Sequence, residues 1–224
     1  MRLTRVVGLG PGLAVPAAVA AGLLAACGPR PTPEERAGAV AAFATVQQVF
    51  QHPRCRNCHI SGDAPLQYDA SRPHAMGVAR GPEGHGAPGL PCATCHGEAN
   101  SPASYGPDAP PGAPHWGLPK PDHKMAWIGL SAAATCAMVK DKSKNGGRSF
   151  EKLIEHVSSD SLVLWGWHPG GRREPVSVPH DQFVVKFKQW AAAGGPCGAR
   201  RNAGQGAGRW DGQRRARGGA RPHP

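Results

Sequence analysis

At 224 residues the chain has room for one domain of ordinary size, and its 31 Gly and 24 Pro place it at the edge of the range for loop-dominated chains. Aromatics are only 6% of the residues, so a core made of side chains alone is meagre and another apolar filler is expected. The formal net charge of +11 gathers at the ends: residues 198–224 hold seven Arg and one Asp, Arg2 and Arg5 precede residue 27, and only +3 is left for the body, which excludes nucleic-acid binding as an inference from charge.

Residues 1–26 carry Arg2 and Arg5 and then a Val/Leu/Ala/Gly stretch broken by Pro11 and Pro16. This has the form of a signal peptide, too short and too broken for a membrane span. It ends Leu24-Ala25-Ala26-Cys27, which resembles a bacterial lipobox. Cys27 is then the lipidation site and mature N-terminus, and residues 27–33 are a Pro-rich tether. Ordinary cleavage at a nearby Ala-rich site is the alternative, with Cys27 an incidental thiol. Gly28 after the Cys points to the outer membrane, so the expected place is the periplasmic side of a Gram-negative envelope.

A body of residues 34–197 follows. Thr32-Pro33-Glu34-Glu35 is a helix start with a capping box. Val40, Phe43, Val46, Gln47 and Phe50 recur at helical spacing, and the helix is expected to run to about Gln51 and stop at Pro53. It leads directly into Cys55-Arg56-Asn57-Cys58-His59. The same pattern returns as Cys92-Ala93-Thr94-Cys95-His96.

Cys-x-x-Cys-His is the attachment pattern of a c-type haem. Two thiols add to the two vinyl groups of one porphyrin, and the adjacent imidazole reaches the iron from one side. Cys55, Cys58, Cys92 and Cys95 are the expected covalent attachment points of two haems, and His59 and His96 the proximal iron ligands. The remaining Cys136 and Cys197 can form one disulfide in an oxidising compartment.

Residues 61–122 are rich in Gly and Pro and show no sustained periodicity. A structureless segment of this length argues against a compact domain unless it wraps something, and haem is the expected filler. The sixth iron ligands are sought in this stretch and just after it. Met76, within His74-Ala75-Met76, is the candidate for the first haem, with His74 as competitor. Met125 is the candidate for the second, with His123, His115 and His85 as competitors. Arg54, Arg56, Arg72 and Arg80 are candidate propionate partners, and Trp116, Trp127, Trp165, Trp167 and Trp190 are expected against porphyrin faces or edges. His52 is a candidate for a propionate or iron contact, or a helix C-terminal His.

Beyond it, a short helix is expected over Ser131–Lys140, a turn at Asn145-Gly146-Gly147, a helix over Phe150–Val157 capped by Ser149, and a last helix opened by Pro179 and closed at Gly194 or Gly195. Leu162–Trp167 is apolar but too short to assign. Residues 198–224, Gly- and Arg-rich, carry no apolar pattern and are expected to be a disordered tail. The expected fold class is mainly α with long irregular loops, cytochrome c-like, with a haem-dependent core.

Several stretches carry a family resemblance. Phe50-Gln51-His52-Pro53-Arg54-Cys55, Gly62-Asp63, Pro65-Leu66-Gln67, His74-Ala75-Met76, Arg80-Gly81-Pro82, Pro111-Gly112-Ala113-Pro114, Asn145-Gly146-Gly147 and Trp165-Gly166-Trp167 resemble small bacterial CxxCH proteins often labelled isoquinoline 1-oxidoreductase subunit. These are similar to cytochrome partners of xanthine-oxidase-type molybdenum hydroxylases. The resemblance covers about residues 45–197. It implies an electron acceptor for such an enzyme and no catalytic site of its own, since nothing here resembles a molybdopterin or iron–sulfur subunit.

Three functions remain in view. The first is electron transfer by an exported dihaem cytochrome. The second is a peroxidase-like haem enzyme with one five-coordinate haem. The third is a zinc site made from the two Cys pairs, although the gap between Cys58 and Cys92 is longer than a common zinc ribbon allows and a His after each pair is then unexplained.

Overall fold

The computed structural model describes residues 30–199. The expected signal peptide, Cys27 with most of the expected tether, and the chain beyond residue 199 lie outside them.

Helix α1 spans Pro33–Phe50. Its start is the expected capping box: the Thr32 hydroxyl accepts from the Glu35 N–H at 3.2 Å and the Glu35 carboxylate accepts from the Thr32 N–H at 2.8 Å. Pro53 does more than stop this helix. It opens a second, four-residue helix α2, Pro53–Arg56, that carries Cys55. His52 is the N-cap of α2, with its Nδ1 accepting from the Arg54 N–H at 3.3 Å. A proline at the first helical position lacks only a donor that would be unpaired anyway, so the same residue ends one helix and begins the next.

Two short antiparallel hairpins occupy the Gly/Pro-rich stretch. β1 (Leu66–Gln67) pairs with β2 (Arg72–Pro73), and β3 (Gly86–Ala87) pairs with β4 (Leu90–Pro91). Isolated 3₁₀ turns link them, including Cys92–Thr94 through the second motif. The segment is thus ordered in turns and two-residue ladders, with no long element.

The C-terminal half is helical. α3 (Ala132–Lys140) is capped by Ser131, and α4 (Phe150–Ser159) is capped by Ser149 and runs two residues beyond the expected end. α5 (Ser161–Leu164) continues into a 3₁₀ turn over Trp165–Trp167, which resolves the short apolar run. α6 (His180–Ala192) follows Pro179 and ends at Gly194 and Gly195, both at positive φ. The fold is mainly α with few strands, six α-helices among the described residues.

α1 packs along α6 and against α3. Phe43, Val46, Phe183, Phe187 and Trp190 are at most 3% exposed and form the centre of the core. Trp190 therefore belongs to the helix core, between Phe43 and Phe150 with its Nε1–H on the Pro196 carbonyl at 3.2 Å, and not to a haem face. Cys136 and Cys197 are disulfide-bonded, Cα to Cα 5.6 Å, and close a 61-residue span that fastens the end of α6 to α3.

Candidate haem sites

The first motif grows out of α2. Helical geometry over Pro53–Arg56 brings Cys55 and Cys58 to one side, with the Cys58 and His59 N–H groups both on the Cys55 carbonyl at 3.2 and 3.3 Å. The His59 ring lies flat on the indole of Trp127, with centroids 3.7 Å apart and planes at 17°. Its Nδ1 is 3.2 Å from the Met125 carbonyl. A carbonyl can only accept, so Nδ1 carries the proton and Nε2 is the free nitrogen. Burial pushes His59 down to about 3, with the charge of nearby His156 adding to it, so the ring is the neutral form that a metal takes.

The second motif is built in the same way. His96 lies flat on Trp116 at 4.4 Å and 7°. Its Nδ1–H donates to the Pro111 carbonyl at 2.8 Å, again leaving Nε2 free. Burial lowers His96 as well. One stretch supplies both brackets in turn: Pro111 and Trp116 serve His96, and Met125 and Trp127 serve His59. Carbonyl partners of this kind fix the tautomer and orientation of a ligating histidine.

A cavity of about 620 Å³ opens at the first motif. Cys55, Cys58 and His59 line it together with Val49, Phe50, Leu118, Trp167 and Phe183. The apolar end of α1 thus stands beside the motif, as its spacing implied. Burial pushes the Cys55 and Cys58 thiols up to about 12 and about 11. The charge of Cys92 adds to the rise at Cys58. An apolar cavity, a paired set of thiols on its wall and an imidazole with Nε2 free fit a covalently held haem. Among the described residues no three or more His, Cys, Asp or Glu side chains are grouped to hold a metal ion together.

The sixth-ligand candidates are distributed differently from their order in the chain. Met76 is 82% exposed and sits at φ +67° on its turn. The ring of His74, two residues earlier, is 6.1 Å from that of His96. The Met125 carbonyl holds His59, and its side chain packs on the helix core. His85, His115 and His123 line the cavity of the first motif. So does His156, which spacing had not singled out. Its signal was its place on α4 between the buried Leu153 and Val157, and its Nδ1 stands 3.2 Å from the Asp160 carboxylate.

The arginines are mostly committed elsewhere. Arg80 is 1% exposed and its guanidinium donates to the carbonyls of Ile60, Gly62 and Pro119 and to Asp63. It is the pin of the loop and not a propionate partner. Arg54 lines the cavity of the first motif, pairs with Asp69 and lies 5.7 Å over the Trp165 ring. Arg56 donates to the Ser71 hydroxyl at 3.1 Å, and Arg72 is exposed.

Asn100 ties the second motif to the C-terminal half. Its Oδ1 accepts from the Gly112 N–H at 3.2 Å and from Trp165 Nε1–H at 2.9 Å, while its amide donates to the His168 carbonyl at 2.9 Å. Gly112 is required there because a Cβ would lie 2.7 Å from the Ala99 carbonyl carbon. No helix of the described residues is long and apolar enough to cross a membrane. No family model, no curated protein and no solved structure matches the chain.

Proposed function

We propose that the chain is an exported dihaem c-type cytochrome that passes electrons between a periplasmic dehydrogenase and a further acceptor. The observation that carries this reading is the repeated bracket: at both Cys-x-x-Cys-His motifs the imidazole is stacked on a tryptophan and fixed through Nδ1–H to a backbone carbonyl, with Nε2 free. A surface histidine has no need of such an arrangement, and two of them at the same motif position share one purpose.

Each bound haem supplies a one-electron ferric–ferrous couple. The residues do the rest. Cys55, Cys58, Cys92 and Cys95 hold the porphyrins, and His59 and His96 hold the irons from one side. Phe50, Leu118 and Trp167 exclude water at the first site, which sets the local dielectric and with it the potential. No catalytic residue is assigned. The donor class implied by the sequence resemblance is a molybdenum hydroxylase. Anchoring through lipid on Cys27 at the outer membrane would keep the protein beside such a partner.

Reductive titration of the mature protein tests this. Two electrons taken up and returned per chain are expected, with no turnover of peroxide. Rapid peroxide turnover would replace the reading with the haem-enzyme one, and a chain without a reducible chromophore would end both.

A further inference from the structure

The second site contains a pair that the proposed function does not use. His74 and His96 stand with ring centroids 6.1 Å apart and planes at 63°. An iron held between two imidazoles needs about 2.0 Å to each nitrogen and roughly 1 Å from nitrogen to ring centre, so about 6 Å in all. Rotation about the metal–nitrogen axis is free, so an angle of 63° is compatible with it. The free nitrogens agree as well. His96 Nδ1–H is on the Pro111 carbonyl and His74 Nδ1–H is on the Ala75 carbonyl, each at 2.8 Å. Both rings therefore keep Nε2 for a ligand. An edge-to-face aromatic contact also falls in this distance range, but it does not require both Nδ1 atoms to be engaged. Among the described residues no other imidazole pairs with His96 at such a separation.

Resting on the dihaem reading, we infer that His74 is the distal ligand of the second haem, making that iron bis-histidine.

The ligand comes from the other motif's loop. The β1–β2 hairpin that leads to His74 is fastened to the first motif: the Leu66 N–H donates to the Asn57 carbonyl at 2.9 Å and the Asn57 amide to the Tyr68 carbonyl at 2.9 Å. The loop that follows the first haem site thus closes the second. The two sites are one unit and not two cytochrome modules in series.

The test uses the full chain after haem attachment, in its native form, as His74→Ala, as His74→Met, and as a one-haem Cys92→Ser/Cys95→Ser chain with and without His74→Ala. A denatured pyridine-haemochrome count comes first and reads the dihaem assignment alone: a native count other than two removes that assignment and the inference with it. With two haems present, His74→Ala should turn one haem from low-spin to high-spin in electron paramagnetic resonance. Added imidazole should restore it, which a loss of packing would not allow. His74→Met should keep that haem six-coordinate and raise its potential relative to the native pair. In the Cys92→Ser/Cys95→Ser background, His74→Ala should leave the remaining haem unchanged. The inference is overturned if His74→Ala and His74→Met leave both native haems unaltered, or if His74→Ala alters the haem that survives in that background.

Discussion

The indole of Trp127 lies between Phe50 and His59, parallel to both: 4.4 Å and 8° from the first ring, 3.7 Å and 17° from the second. This three-ring stack joins the end of α1 to the imidazole of the first motif. Trp127 is 5% exposed and its Nε1–H has no partner among the described residues. Trp127→Ala should therefore cost about 3–5 kcal/mol, as large aromatic truncations do. Trp127→Phe keeps the stack and removes the unpaired donor, so it should cost less than about 1.5 kcal/mol. Thermal unfolding of the two variants checks the difference; equal losses would show that the stack does not hold the site.

Gly112 should be intolerant of any side chain. A Cβ there runs into the Gly97 and Ala99 carbonyls and pushes the neighbouring Pro111 carbonyl away from His96. Gly112→Ala should destabilise by about 1–3 kcal/mol, the usual range for overpacking. Its spectral effect should fall on the second haem alone. An unchanged second haem would show that the Pro111 bracket is dispensable.

The Cys136–Cys197 bridge closes 61 residues and should contribute about 4 kcal/mol in the chain-entropy model. Denaturant unfolding of a Cys136→Ser/Cys197→Ser chain reads this. Haem content should not change, because the bridge joins α3 to the end of α6, apart from both motifs.

In the chain without haem, acid should weaken the fold through His59 and His96. His59 is pushed down to about 3 and His96 is lowered, both chiefly by burial. Between about 6.5, the unfolded value, and about 3, the unfolded chain binds protons that the folded chain refuses. Stability should thus be greatest above about 6.5 and fall as the pH drops towards 3. Melting temperatures from pH 7 to 4 measure it; a midpoint that rises on acidification would contradict the burial of these rings.

What could be read from residue order was local. Thr32 with Glu35, Ser131 and Ser149 announce their helices because a cap acts within three residues of itself. The two Cys-x-x-Cys-His motifs are equally local, since each is five consecutive residues. Pro53 was legible as a break and not as a start, because both uses of proline look alike in sequence. The brackets were not legible. Trp127 reaches His59 across most of the loop segment, and nothing in the intervening residues marks the meeting. His74 and Met125 are matched by chain distance to the nearer motif, whereas the His74 ring stands 6.1 Å from that of His96 and the Met125 carbonyl faces His59. Arg80 has the residue type of a propionate partner, but burial turned it into a clamp for three carbonyls. His156 carries a ligand-type side chain on an amphipathic helix, where the apolar periodicity draws attention to its neighbours instead.

The central claim is that both motifs carry haem. Its most direct test is the intact mass of the mature protein read together with its alkaline pyridine-haemochrome spectrum. The account predicts two covalently attached haems per chain, with one lost in the Cys55→Ser/Cys58→Ser chain and the other in the Cys92→Ser/Cys95→Ser chain. A mature protein with four unmodified motif cysteines, produced alongside a working haem-attachment system, would contradict it.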